Sequence, residues 1–358
     1  MSRHCVWAAA FFAATSISVR ADNIDFSTFV SSSSIGAVEG GNHSTIAFNY
    51  AGNKFVGSVY LGVNNNQLYS TNLAGDNVAL FGSPIPGAGG EVVIGASLGK
   101  GGFALGDIYT GSEANGQIYH YANTGGSPSL FTTLPAAAGV VRQIFFDPGS
   151  TFGGNMLVTT TSGNVYKVTS SGIPSLLTGV GEDTEGMDIA PGDWGPYAGD
   201  LMVGSEGSGT LRLISPTGSV TVVESVGSFP GAETVSAIPL NLKATNPLEG
   251  FYVANYPNDI QFASASQFIR QGLLGDVIVT DEFGGNTAWD VHFNATTNTF
   301  SSTLFNFTGN SIQQFEDGIF VTPERISVFT PEPASLRLLL LGGIMAGLGI
   351  LLHAKLRV

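Results

Sequence analysis

The sequence predicts an all-β chain folded as a β-propeller, on three observations. Glycine is abundant, with 49 of 358 residues, and Val, Ile, Thr and Tyr fall in short alternating runs with no sustained helical period. The runs come in pairs joined by polar turns rich in Gly and Asn. The first five pairs start about 45–50 residues apart, the length of a propeller blade.

In chain order, Val59-Tyr60-Leu61 turns at Asn64-Asn65-Asn66 into Gln67-Leu68-Tyr69, and Ile108-Tyr109 turns at Asn115-Gly116 into Gln117-Ile118-Tyr119. Met156-Leu157-Val158 turns at Ser162-Gly163 into Asn164-Val165-Tyr166, and Leu201-Met202-Val203 turns at Gly207-Ser208-Gly209 into Leu211-Arg212-Leu213. Phe251-Tyr252-Val253 turns at Pro257-Asn258 into Ile260-Gln261-Phe262, and Val277-Ile278-Val279 turns at Gly284-Gly285 into Ala288-Trp289-Asp290-Val291. Asn-Gly and Ser-Gly suit such turns because tight hairpins need positive φ. Alternation buries one face of each strand. Between the hairpins lie further apolar strands: Val140–Phe146, Glu185–Ala190 and Glu316–Val321. These are expected to be the innermost strands, lining a central channel.

The last interval is about half a period, so either one blade is truncated or one hairpin is an insertion. Six blades is the expected count, with five or seven open. Ring closure is expected between the terminal strand material near Phe315–Phe329 and the strand near Ile46–Tyr50. A pair of β-sandwiches is the rival fold, and the regular spacing argues against it.

The two ends read as addresses. Arg3 followed by the small and apolar stretch Cys5–Val19, with Val19-Arg20-Ala21 before Asp22, fits a secretory signal over residues 1–21. The body then spans 22–329. The tail, 330–358, begins Thr330-Pro331-Glu332-Pro333-Ala334-Ser335, continues as an uncharged apolar run from Leu338 to Leu352 and ends with Lys355 and Arg357. As a helix the run would cover about 23 Å, just short of the ~30 Å hydrocarbon core, and Arg337 can extend it by snorkelling. A C-terminal transmembrane helix with its basic end on the cytoplasmic side is expected.

This tail resembles the PEP-CTERM sorting signal, also called the ice-binding protein C-terminal domain. The matching parts are Pro331-Glu332-Pro333, the apolar span and the basic end, under a tenth of the chain. The resemblance implies recognition by an exosortase-type membrane transpeptidase of a Gram-negative, polysaccharide-producing bacterium. It also implies cleavage near Pro331–Pro333 and delivery across the inner membrane to the envelope, outer surface or extracellular matrix. Arg337 interrupts the start of the apolar run and the basic end is sparse, both departures from the pattern. The blade pattern is also weakly similar to NHL-type and gluconolactonase-type propellers, through Glu185–Pro191 and Glu316–Val321, a fold-level analogy that warrants no chemistry.

Charge and cysteine usage narrow the function. The single cysteine, Cys5, lies in the signal, which removes thiol catalysis and thiolate metal sites from the body. Five of the 13 basic residues and one of the 27 acids lie in the two ends, leaving eight basic against 26 acidic residues in the body. Such a surface repels phosphate backbones, so no nucleic-acid partner is expected.

Glu182, Asp183, Glu185, Asp188 and Asp193 crowd one loop–strand junction, and Glu316-Asp317 repeats the arrangement. If their strands line a channel, Glu182, Asp183, Glu185, Asp188, Glu316 and Asp317 converge at one mouth and offer oxygen ligands to a hard cation such as Ca²⁺. Solvated loop acids are the competing reading. Asp281-Glu282 and Asp290 flank the sixth hairpin, but their separation is not legible from sequence. Gly95-Ala96-Ser97-Leu98-Gly99 matches the nucleophile-elbow pattern without a helix to follow it. His120 and His292 read as structural. Trp194, in the loop Pro191–Pro196, is expected to be exposed and, with Tyr197, to form a sugar-stacking platform, whereas Trp289 is expected in the core.

The leading expectation is a non-catalytic exported propeller that binds polysaccharide or a surface protein. A cation-dependent propeller hydrolase of lactonase type is the alternative. Ice binding would want flat Thr-x-Thr rows, which the body lacks.

Overall fold

The computed structural model of the chain describes residues 23–329 except 42, 61–65, 283–286 and 310–312. The expected signal, the expected sorting tail and membrane span, and Pro331, Glu332 and Pro333 lie outside these residues. No helix among the described residues is long and apolar enough to cross a membrane.

The chain opens with β1 (Asn23–Val30) and α1 (Ser32–Glu39). Blade one follows as β2 (Thr45–Tyr50), β3 (Phe55–Val59), β4 (Leu68–Thr71) and β5 (Ala79–Phe81), and blade two as β6 (Val92–Ala96), β7 (Ile108–Ser112), β8 (Asn115–Tyr121) and β9 (Ser129–Thr133). Blade three is β10 (Val141–Phe146), β11 (Met156–Thr160), β12 (Asn164–Val168) and β13 (Pro174–Gly179). Blade four is β14 (Thr184–Ile189), β15 (Leu201–Ser205), β16 (Leu211–Ile214) and β17 (Val220–Val222). In these four sheets the strands run in chain order from the channel outward.

The remaining strands share themselves between two blades. After β18 (Ala232–Ala237) come β19 (Gly250–Tyr256), β20 (Asp259–Ser264) and α2 (Ala265–Gln271), and then β21 (Val277–Asp281), β22 (Ala288–Asn294) and β23 (Thr299–Leu304). Blade five is β18-β21-β22-β23. The β19–β20 hairpin leaves it and joins β24 (Asn306–Gly309) and β25 (Gln314–Val321) in blade six, ordered β24-β1-β20-β19-β25. The half-period interval is therefore an insertion, and the propeller has six blades.

Closure differs from expectation. The terminal strand β25 pairs with β19, and the N-terminal strand β1 pairs antiparallel with β20 and parallel with β24. Strand β2 is already the innermost strand of blade one, so it meets β25 through side chains: Tyr50, Ile319 and Val321 share one apolar cluster. The stretch expected to be one long strand also ends early, because Pro323 starts a short helix, α3 (Pro323–Phe329).

Six apolar clusters hold the ring, each filled from two consecutive blades, the sixth interface joining blade six to blade one. Phe26 on β1 shows the scale. It is 3% exposed, with Phe307 and Phe315 at 5.1 and 4.9 Å, and burying such a ring contributes about 1.5–3 kcal/mol. Turn chemistry follows the sequence at Ser162-Gly163: Gly163 has φ +71°, and a Cβ there would meet the Glu182 carbonyl at 2.2 Å. At the second hairpin the turn is Glu113-Ala114, since Ser112 pairs with Asn115.

Five of the six inner strands carry a β-bulge near their first residues: at Thr45/Phe48, Val141/Gln143, Thr184/Met187, Ala232/Val235 and opposite Val253/Asn255. A bulge breaks the alternation and re-aims a side chain. Here it affects Arg142, Glu185, Glu233 and Glu316, which lie in or beside the irregular steps. The bulge of blade four also packs tightly: a Cβ at Gly186 would lie 2.3 Å from the Glu233 carbonyl.

Candidate functional site

The inner strands run in one sense along the channel, so their first residues gather at one mouth and their last at the other. The acids expected to meet at a single mouth are divided by this arrangement. Asp183 and Glu185 stand at the first mouth with Glu316, whereas Asp188 and Asp317 line the second.

At the first mouth one guanidinium sits among five carboxylates. Arg142, its side chain 6% exposed, lies 3.0 Å from Glu185, 3.2 Å from Asp183, 2.5 Å from Glu113 and 3.4 Å from Glu91, and also pairs with Glu206. Glu113 and Glu206 come from the β7–β8 and β15–β16 turns, and the others from the starts of inner strands. Burial opposes the Arg142 charge, but Glu185, Asp183, Glu206 and Glu91 together outweigh it and hold the guanidinium above its ordinary value.

The carboxyls are shifted upward as well, which for an acid disfavours the charged form. Burial, aided by Glu113 and opposed by Arg142, pushes Glu91 up to about 7. Burial raises Glu185, with Glu233 adding to it and Arg142 opposing. Glu233 and Glu316 are likewise raised well above the usual range, by burial first and by neighbouring acids second. One cation cannot balance this many acids, so burial and mutual repulsion raise the carboxyls of the ring together.

Sequence reasoning weighed a hard cation against solvated loop acids for these carboxylates; at the first mouth Arg142 stands among them. Among the described residues no group of three or more His, Cys, Asp or Glu is arranged to hold a metal ion. Glu182 turns away to pair with Arg212 and to accept from Ser208 at 2.8 Å. The missed signal was positional: Arg142 occupies the place in its inner strand that Glu185, Glu233 and Glu316 hold in theirs.

The second mouth opens into a cavity of about 320 Å³. It is lined by the residues Ile238, Leu240, Ile319 and Phe320, with Asn49, Gln143, Asp188, Asp317, Glu324 and Arg325 among them. Asp188 accepts from the backbone N–H groups of Ile189 (2.7 Å) and Ala237 (2.9 Å). Asp317 accepts from the Gln143 amide at 2.8 Å. Burial pushes Asp188 up to about 6 and Asp317 up to about 7, against these hydrogen bonds. Arg325, from the first turn of α3, is 7% exposed. Its guanidinium makes no hydrogen bond and no ion pair among the described residues. Burial lowers its pKa despite the charges of Asp188 and Glu324 nearby.

The expected aromatic platform is not exposed. Trp194 is 1% exposed, its indole N–H donates to the Gly275 carbonyl at 2.8 Å, and its ring meets Phe300 at 5.2 Å. Tyr197 is half-buried against Phe293 and Phe300. The Pro/Gly-rich loop folds onto blade five because the ring's apolar body finds cover there and its one donor finds a carbonyl. Trp289 is half-buried, donating to Asp281 at 3.0 Å. Ser97 is fully buried at the end of β6, and its hydroxyl accepts from the Gly99 N–H at 3.1 Å, a turn contact. His120 and His292 each pair with an aspartate, Asp107 and Asp276, at 2.6 Å.

No family model matches the chain, and no curated protein matches it. Among solved structures the fold is similar to a streptogramin B lyase (TM-score 0.48, 13% identity, 82% of this chain and 80% of that one). It is similar also to virginiamycin B lyase from Staphylococcus aureus (TM-score 0.45, 13% identity, 78% and 95%) and to YCF48 bound to D1 peptide (TM-score 0.44, 12% identity, 73% and 68%). These are likenesses of architecture, and the blade count rests on this chain's own strand pairing.

Proposed function

We propose that the chain is an exported, non-catalytic β-propeller that binds polysaccharide or a surface protein through the cavity at its second mouth. The observation that carries this reading is the cavity itself: a concave site with apolar walls and a few convergent polar groups, as ligand sites are built. Asp188 and Asp317 have their orientations fixed by hydrogen bonds, which favours recognition of a defined geometry. The ends of the chain support the placement: residues 1–21 act as the export signal and 330–358 as the exosortase-processed tail. A glycan array with the purified protein tests the binding. Retention of a subset of glycans, lost in Asp188→Asn, is the expected result, and a blank array together with no partner from isolated matrix overturns it. Mass spectrometry of the secreted species should find new ends near Asp22 and Pro331, and an uncut cytosolic chain refutes the placement.

A hydrolase of lactonase type is the second reading. It is favoured by one observation, that Asp188 and Asp317 are poised at about 6 and about 7 in the same cavity, where a general acid or base works near neutral pH. Turnover of a lactone panel that disappears in Asp317→Asn would move the assignment to it.

A further inference from the structure

We infer that the cavity takes an acidic sugar, with Arg325 pairing the sugar's oxyanion while the hydroxyls meet Asp188 and Asp317; this rests on the binding reading above. Arg325 points to the ligand class. It lines the cavity and is only 7% exposed. A buried guanidinium presents five donors and no acceptor, and leaving such a charge unpaired is costly.

The nearby acids do not take it up. Glu324 is engaged by the Asn241 amide, and Asp188 by two backbone N–H groups. Arg142, at the opposite mouth, has five carboxylates within 4 Å. Arg325 has none among the described residues, although the body holds more than three acids for each basic residue. A carboxylate or sulfate brought in by a ligand can accept two parallel N–H bonds from such a fork.

The other polar groups define the rest of the ligand. Asp188 and Asp317 each keep acceptor capacity beyond their protein hydrogen bonds. A wall rich in acceptors calls for a ligand rich in hydroxyl donors. A hydroxylated ring carrying an oxyanion meets both demands, whereas a fatty acid or a neutral sugar meets only one. The exposed side chain of Leu240 can face the C–H surface of such a ring. Carboxylate and sulfate share the chemistry, and the experiment separates them.

Titration calorimetry with glucuronate, galacturonate and glucose 6-sulfate, against glucose and galactose, tests the inference on the unmodified protein. At least one acidic sugar is expected to bind ten-fold or more tightly than its neutral parent. A uronate preference identifies the carboxylate, and a 6-sulfate preference the sulfate. Arg325→Gln is expected to remove the discrimination, and Arg325→Lys to keep part of it. Thermal melts of both variants report folding, and the wild-type comparison needs no variant. Equal affinity for acidic and neutral sugars, or discrimination that survives Arg325→Gln, overturns the inference while saccharide binding stands. No binding of any sugar overturns it together with the saccharide half of the proposed function.

Discussion

The two mouths of the channel each hold one buried arginine, and they differ in what surrounds it. Arg142 is surrounded by carboxylates from the inner strands and two turns, all within 4 Å. Arg325 faces an open cavity with no ion partner of its own among the described residues. The first arrangement ties together blades two, three and four through charges that have little room for anything else. The second leaves a charge unbalanced beside empty space. Acid density alone points to the first mouth as a ligand site, whereas the site proposed above lies at the second, where Arg325 lines the cavity.

The comparison can be broken or sharpened experimentally. The largest effect is expected from Arg142→Gln, which leaves five mutually repelling carboxyls without their cation. Removing one member of a buried ionic cluster costs about 3–5 kcal/mol, so the melting temperature should fall by roughly 10 °C. A fall of less than about 2 °C would mean that the first mouth is not a clasp. Trp194→Phe comes next. It removes the donor to the Gly275 carbonyl and costs about 1–3 kcal/mol, while sugar affinity should stay within about two-fold, since the ring is scaffold. A large loss of affinity in calorimetry would restore its role as a platform.

The pH dependence of stability follows from the raised carboxyls. Asp317 and Glu91 sit at about 7 and Asp188 at about 6 in the folded chain, above their unfolded values. The native state therefore holds protons more tightly than the unfolded state. The stability these groups contribute is present in mild acid and lost as pH rises through about 6 to 7. The groups facing them are Arg142, Glu113, Glu206 and Glu282 around Glu91, Arg325 and Asp147 around Asp188, and Gln143 beside Asp317. Melting temperature is expected to rise by a few degrees between pH 8 and pH 5.5, and Asp317→Asn to flatten that rise. An opposite slope that persists in Asp317→Asn would show these carboxyls to be ionised in the fold. The smallest effect belongs to Glu182→Gln. Its pair with Arg212 is partly exposed, and such pairs contribute about 0–1 kcal/mol, so calorimetric melts should move by no more than about 2 °C.

Much of the architecture was legible because it is local. Alternation in Met156–Val158 and Asn164–Tyr166, with Ser162-Gly163 between them, specifies a hairpin without reference to the rest of the chain. The inner strands at Val140–Phe146, Glu185–Ala190 and Glu316–Val321 were legible for the same reason. The destination of the β19–β20 hairpin was not, since nothing in Gly250–Ser264 says which sheet it will join. Closure failed likewise, because β1 lies in a stretch with no blade period of its own. The site was half legible. Acids at repeated strand positions announced a charged channel, but a bulge decides which way each one points. Arg142 and Arg325 looked like ordinary basic residues until the fold gave one of them five carboxylate partners and the other none among the described residues. Trp194 misled because a Pro/Gly-rich loop usually marks exposure, and this one folds inward.

Blade six is assembled from three distant stretches: the first described strand β1, a hairpin borrowed from within blade five, and the last described strands β24 and β25. It works as a dovetail joint, in which neither β1 nor β25 can be withdrawn without loosening the same seam. Fraying at Asn23 and fraying at Val321 are thus one event seen from two sides, and amide exchange in the first and last strands should accelerate together when either is weakened.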